Sequence, residues 1–430
     1  MKERNGQLRY LSIVIGAFLT VGVIVGLTNN LYSLYVIPIT TGLGISRGLY
    51  SMGLTVRYIA SAFCNLFMGR LYQRFGYRRP TVLLVLLVAA SYVGYGTARN
   101  AVPLFLGALI YGVGEYFIRT APLSRMLGNW FQSHLGVVTG IVMAASGVGG
   151  SALSLVLSGI MESAGWRTSL LFAAGLLAAV AVMIFFVMKD RPEELGLQPY
   201  HDPERRGAAH KPKKVASPWA GVPMQVLLKK PYFYLTMIGM MLATIASNGV
   251  YSAVVPHLQD RGLSAAYAAK MLSLMLVLLA VDKIVLGMLA DRFGAHFSTL
   301  LCVLFTFSGI VVLTLVKNEW QAVIAVVLLS VSVCLNGFIQ PLLAAEIFGR
   351  SAYNTTLGIM MAMLSVGGLL SSPLVNFSFD ATGSYTRILI VLAVIAAVDA
   401  LFLLPAFHAE AKYRRELEAS GQLSDAGPET

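Results

Sequence analysis

The sequence predicts an all-α membrane protein with twelve transmembrane helices in two six-helix, pseudo-symmetric halves. Three observations predict it. Of the 430 residues, 57% are hydrophobic and only 12% are charged, about half the charged share of a soluble domain. The apolar residues fall into runs of roughly 20, the length that spans a bilayer as a helix, without the period-two alternation of a membrane β-barrel. A short basic phrase occurs once in each half: Gly69 to Arg79 reads GRLYQRFGYRR, and Gly287 to His296 reads GMLADRFGAH.

The apolar runs place the twelve spans at about 11–38, 48–70, 80–98, 102–126, 135–161, 168–188, 232–255, 265–290, 297–316, 321–345, 355–377 and 387–407. Residues 1–189 form the N-terminal half and 231–407 the C-terminal half. Between them, 190–230 carries Pro192, Pro199, Pro203, Pro212 and Pro218 with charges of both signs, the composition of an aqueous linker. Residues 408–430 form a polar tail. The first apolar run is long for a signal-peptide core and no small-residue cleavage site follows it, so it is read as the first span. With the N-terminus inside, most Lys and Arg fall in the tails, the linker and the loops joining even to odd helices. Only Arg47, Arg99, Arg167, Arg261, Lys270, Lys317 and Arg387 fall on the opposite side. The positive-inside rule therefore predicts two cytoplasmic termini.

The same distribution argues against nucleic-acid binding, despite a net charge of +12: the cations are divided among alternate loops rather than gathered on one face. Cys64, Cys302 and Cys334 are odd in number and lack metal-ligand spacing, and the six His are scattered. No nucleophile–base motif, metal cluster or phosphate-binding loop is present, so no enzymatic activity, metal or cofactor is expected. Gly147 to Ala152 fits a dinucleotide fingerprint but lies inside a span with no preceding strand. Gly136, Gly140 and Ala144, at four-residue spacing, are expected to support close helix packing instead.

A doubled phrase between hydrophobic segments is the mark of two similar halves joined, as in many secondary transporters. With the predicted topology the two copies become the loops after helices 2 and 8. Their glycines permit tight turns and close helix approach. They resemble the major facilitator superfamily signature G-x-x-x-D-R/K-x-G-R/K-R/K. Gly287, Asp291, Arg292 and Gly294 match it in the second half; Gly69, Arg74, Gly76, Arg78 and Arg79 match in the first, where Gln73 stands for the Asp. The resemblance implies a cytoplasmic gate at these loops, with a neutral hydrogen bond replacing a charge in the first. Further phrases are similar to bacterial monocarboxylate transporters and oxalate/formate antiporters: Ser33 to Pro38, Leu43 to Arg47, Asn129-Trp130-Phe131, Gly165-Trp166-Arg167, Pro341 to Gly349, and the Lys283-to-Gly287 spacing.

Ionisable residues inside spans are costly and default to functional hypotheses. Six stand out: Arg57 in helix 2, Glu115 and Arg119 in helix 4, Asp282 and Lys283 in helix 8, and Asp399 in helix 12. Lys283 lies where the related transporters place a carboxylate-binding Arg, so the resemblance implies that it contacts substrate. It acts as a point charge rather than a planar fork, or else its ammonium snorkels to the interface. Asp282 diverges from Lys283 by about 100° on the helix and is either a proton-coupling carboxyl or an interhelical hydrogen bonder. Glu115 and Arg119 have i,i+4 spacing: they either pair with each other, or Glu115 carries a proton while Arg119 faces Lys283 across a cavity. Arg57 is a further cation, and Asp399 is assigned a structural role.

Helix 11 lacks the second cation of oxalate/formate antiporters, with Leu364 at the approximate position. A monocarboxylate, or a dianion held by Lys283 with Arg119, therefore fits better than a dianion held by two C-half cations. Asn29, Asn30, Tyr32 and Tyr35 in one half, and Asn248, Tyr251, Asn336 and Gln340 in the other, are possible hydrogen-bonding partners or helix-packing residues. The expectation is a monomeric secondary transporter of a small organic anion in a bacterial inner membrane, coupled to protons by symport. Its alternatives are a carboxylate/carboxylate antiporter and an efflux pump for amphipathic drugs.

Overall fold

The computed structural model describes residues 2–115, 120–200 and 221–419. It has a helical segment at each of the twelve expected positions. We label them α1 (2–43), α2 (Arg47–Phe75), α3 (Arg78–Gly96), α4 (Ala101–Gly114, resuming at Thr120–Trp130), α5 and α6 (the two parts of Leu135–Val187, divided at Gly165), α7 (Pro231–Asp260), α8 (Ala265–Phe293), α9 (Ala295–Thr314), α10 (319–349), α11 (Ser351–Thr382) and α12 (Thr386–Ala419). Eight described helices are long and apolar enough to cross a bilayer, or nine if the bent pair that makes α10 is one span.

The turns repeat as well as the helices. Left-handed glycines recur as Gly44 and Gly262, Gly76 and Gly294, and Gly165 and Gly383. Helix-interior prolines recur as Pro38 and Pro256. Asparagine N-caps recur as Asn100 and Asn318, whose side chains accept from the Val102 and Gln321 amides. All five pairs are separated by the same number of positions. The duplication thus reaches beyond the basic loop to the residues that stop and start the helices.

The chain forms two compact units. The first comprises Met1–His210 with Leu258–Ala280; the second comprises Lys211–His257 with Val281–Thr430. In the first unit, the 258–280 segment is tied to the N-terminal helices by a bidentate Arg47–Asp260 pair at 2.6 and 2.9 Å and by Ser151 and Ser273 hydroxyls 2.7 Å apart. A Cβ on Gly147 would come within 2.6 Å of the Leu276 carbonyl. The close α1–α5 contact uses Gly149 and Gly150: a Cβ on Gly26 would lie 2.6 Å from the Gly150 nitrogen, and one on Gly149 would fall inside the Gly22 backbone. The expectation for Gly136 and Gly140 is therefore corrected. A Cβ on either meets nothing within 4 Å among the described residues, because the described helix-packing contacts of α5 lie further along, on the glycines of the set-aside fingerprint.

The start of the linker is folded against the first unit. The Tyr200 amide donates to the Trp130 carbonyl at 2.8 Å, and Tyr10 packs edge-on against Trp130, Phe131 and Tyr200. Residues 201–220 lie outside the described residues.

Candidate functional site

The basic loops are built on carboxylate caps. After α2, Gly76 takes φ +74°, and the exposed N–H groups of Tyr77 and Arg78 donate to Asp190 Oδ1 at 2.9 and 2.8 Å. An anion at this helix start also opposes the positive end of the α3 dipole. After α8, Gly294 takes φ +89°, and Glu346 accepts from the Ala295 amide and from His296 Nδ1 at 2.8 Å. Arg74, Asp291 and Arg292 are exposed, and the Arg78 guanidinium sits over the Phe185 ring. The side chain of Gln73 lies outside what is described. The sequence reading missed Asp190, which stands at the end of α6, 112 residues from Arg78.

The first unit holds a buried ion pair beside a cavity. α1 is an α-helix to Thr20, a π-turn over Val21–Val25, and an α-helix again over Gly26–Asn30; it breaks at Leu31 and resumes at Tyr32. A helix end leaves carbonyls without partners. Here the Thr28 carbonyl accepts from Arg57 Nη1 at 3.3 Å and the Leu27 carbonyl from the Tyr92 hydroxyl at 3.3 Å. On α4, Gly112 lacks the Cβ that would strike the Arg57 carbonyl of α2. That close approach brings Glu115, three residues on, to the Arg57 guanidinium. Nε donates to Oε2 at 3.1 Å and Nη2 to Oε1 at 3.0 Å, while Nη2 also donates to Asn29 Oδ1 at 2.7 Å. The guanidinium carbon lies 4.0 Å from the centroid of the Tyr111 ring, a favourable cation–π distance.

Among the described residues the ionic partner of Glu115 is Arg57, a pairing that helix spacing does not reveal. Arg119 lies outside the described residues.

Beside this pair is a cavity of about 70 Å³, lined by Thr28, Leu31, Tyr32, Tyr35, Ile39, Tyr50, Gly53, Leu54, Arg57, Tyr92, Tyr95, Leu104, Ala108, Tyr111 and Leu170. The Tyr32 and Tyr50 rings stack across it at 5.1 Å. Tyr35 lines it while bonding to the Ser169 hydroxyl at 2.8 Å. Asn30 points elsewhere and donates to the Ser146 carbonyl at 3.1 Å, holding α1 to α5.

The second unit has a polar break in α10. The helix passes from Glu319–Ser330 through a 3-10 turn at Val331–Leu335. It then turns at Asn336 and Gly337 (φ +96°) and resumes at Ile339 with a 50° bend. Asn336 Nδ2 donates to Ser247 Oγ at 3.1 Å and to Asn248 Oδ1 at 2.8 Å. Gln340 is fully buried, with no side-chain hydrogen bond to a described residue. Opposite the break on α8, Asp282 lies against the Ser330 hydroxyl and Lys283 beside Cys334. Lys283 makes no ion pair with a described residue. Asp399 on α12 is buried, and neither of its oxygens has a partner among the described residues.

Comparison with known proteins accords with this architecture. The sequence profile described as the Major Facilitator Superfamily matches residues 17–345. Monocarboxylate transporter 12 of Rattus norvegicus is 27% identical over 319 residues, 68% of this chain and 63% of the relative, so the chain spans a little less than two thirds of that protein. The uncharacterized MFS-type transporter YcxA of Bacillus subtilis is 22% identical over 88% of this chain and 91% of its own length. Among solved structures, a bacterial homolog of the human lysosomal transporter Spinster, inward-facing and unoccupied, superposes with TM-score 0.69 at 16% identity, covering 94% of this chain and 98% of that one. The nucleoside transporter NupG superposes with TM-score 0.70 at 12% identity, covering 93% of this chain and 99% of that one. The profile match covers most of the chain and these neighbours share its fold: the protein belongs to the Major Facilitator Superfamily.

Proposed function

We propose that this protein carries a small monocarboxylate across a membrane by alternating access, in symport with a proton. The observation that carries the reading is Lys283, a cation inside a spanning helix with no ion pair to a described residue. An ammonium in that environment is stabilised by an anionic counter-charge, which a bound carboxylate supplies. The relatives named as monocarboxylate transporters support the same substrate class. Asn336 and Gln340 at the α10 break, and Tyr32 and Tyr35 at the cavity of the first unit, are the hydrogen-bonding groups proposed for the substrate. Arg119 is a further cation for it. Asp282 and Glu115 are the proposed proton carriers. The basic loops, with Gly69, Arg74, Gly76, Arg78, Gly287, Asp291, Arg292 and Gly294, form the proposed gate on the side of both termini, which is cytoplasmic in this reading.

Reconstituted vesicles test it. An inward pH gradient drives accumulation of a labelled short-chain acid into vesicles empty of substrate, and Lys283→Ala abolishes it while Lys283→Arg retains part. Uptake that requires internal acid and ignores the gradient would instead establish antiport. Full uptake by Lys283→Ala would remove Lys283 from the site.

A further inference from the structure

We propose that the tyrosine-lined cavity of the first unit is a seat for the carboxylate end of a short-chain monocarboxylic acid, with Arg57 as its cation and Glu115 as a resident carboxylate that gives up Arg57 on taking a proton. The proposal rests on the monocarboxylate reading above and adds a second site, the basis of coupling, and a size limit.

Arg57 is 8% exposed and Glu115 is 8% exposed. Two contacts of 3.0 and 3.1 Å from Nη2 and Nε place the Glu115 carboxylate in the planar fork that Arg offers to any carboxylate. The side chain thus occupies the position that a substrate carboxylate would take. Both Arg57 and Thr28, the acceptor of Nη1, line the cavity, so an anion entering it lies beside the Arg57 side chain.

Charge balance couples the two ligands. Arg57 and Glu115 together are neutral. An anion alone would leave the pocket negative, and a proton alone would leave it positive; a buried net charge is costly in either case. A proton on Glu115 and a carboxylate on Arg57 together restore neutrality. The one bond formed is an O–H bond on Glu115, its proton taken from the aqueous medium; Arg57 stays protonated, and its hydrogen bonds pass from Glu115 to the substrate. Among the described residues, the titratable groups facing Glu115 are Arg57 from α2, Tyr95 from α3 and Tyr111 from its own helix; Tyr58 and Tyr92 face Arg57.

The cavity also sets the substrate. Beyond Arg57 its walls are Leu31, Ile39, Leu54, Leu104 and tyrosine rings, which suit an apolar tail and, among the described residues, offer a second carboxylate no cation. Its volume of about 70 Å³ compares with the roughly 10–15 Å³ that one water needs and about 150 Å³ for a cavity that accepts benzene. A tail of a few carbons fits, whereas an aryl group does not.

The test is calorimetry on the full-length protein in detergent with acetate, propionate, butyrate, benzoate and oxalate, repeated in buffers of different ionisation enthalpy to count protons. For the wild type, short monocarboxylates bind with uptake of about one proton, and affinity rises as pH falls, by about tenfold per unit for one proton taken up per ligand; benzoate and oxalate do not bind. In Glu115→Gln, proton uptake falls to about zero and affinity becomes independent of pH. Because loss of one partner of a buried pair can prevent folding, Gly53→Ala is the second variant. Its Cβ would project toward Ala108 at an ordinary 3.8 Å and narrow the cavity, so butyrate loses severalfold more affinity than acetate. If wild type and Glu115→Gln take up protons equally, or if Gly53→Ala leaves the chain-length preference unchanged, this inference is overturned while the monocarboxylate reading stands. If no short acid binds the wild type, both fall.

Discussion

Removing the charges of Arg57 and Glu115 singly and together gives a quantitative check on the buried pair. At 3.0 Å two unit charges attract by roughly 5 kcal/mol at an effective dielectric of about 20, and desolvation of both groups opposes this. Removing one partner strands the other in the interior, which typically costs about 3–5 kcal/mol, whereas replacing both by apolar groups of similar size is about neutral or stabilising. Arg57→Met and Glu115→Met should therefore each destabilise by about 3–5 kcal/mol, on the order of 10 °C in Tm for a unit of this size. The double variant should lie within about 1 kcal/mol of the wild type. The assay is thermal unfolding of detergent-purified protein at one fixed scan rate, since membrane proteins unfold irreversibly and only matched scans compare. Two single variants that melt like the wild type, or a double variant as unstable as the sum of both, would refute the claim that each residue is the other's principal partner.

Other regions give further checks. Gly26→Ala places a Cβ 2.6 Å from the Gly150 nitrogen, and backbone on both sides leaves nothing flexible to yield. Destabilisation of about 1–3 kcal/mol follows, read as a lower Tm, while Gly140→Ala, with nothing within 4 Å, melts at or slightly above the wild-type temperature. Asp190→Ala removes two backbone caps at the start of α3 and costs about 1–2 kcal/mol; hydrogen exchange at Tyr77 and Arg78 accelerates, and Asp190→Asn recovers part of the protection. Arg47→Ala breaks the Arg47–Asp260 pair, but its side chains retain 13% and 31% exposure. The loss of stability is held to about 1 kcal/mol and shrinks further in high salt.

How far each feature was legible follows from the range of the interactions behind it. The twelve spans are local properties: a run of about 20 apolar residues cannot satisfy its backbone in lipid except as a helix, so composition alone locates them. The basic loops were legible because a left-handed glycine between two helices leaves few choices of residue, as at Gly76 and Gly294. The ion pair was not. Sequence spacing ranks Arg119 as the neighbour of Glu115 because i,i+3 and i,i+4 pairs are the ones a lone helix brings together. Arg57 lies 58 residues away, and only the contact made possible at Gly112 brings the two together. Small-residue spacing likewise marked Gly136 and Gly140, while the α1 and 258–280 contacts fall on Gly147, Gly149 and Gly150. A four-residue repeat identifies a smooth helix face without showing which face a neighbour will occupy.

The sequence by itself determined the class of this protein: a helical membrane chain, duplicated, with cations inside its spans and paired basic loops. Each of these depends on hydropathy, on charge placement or on turn residues that act within a few positions. The tertiary structure decided which charges meet and which stand apart. It joined Glu115 to Arg57 of another helix, brought Asp190 from the end of α6 to a loop whose signature Asp is absent, and left Lys283 without an ion pair among the described residues. Those choices depend on how helices distant in sequence pack, and burial makes each of them matter, because an ionic partner that would add little in water is indispensable in the protein interior.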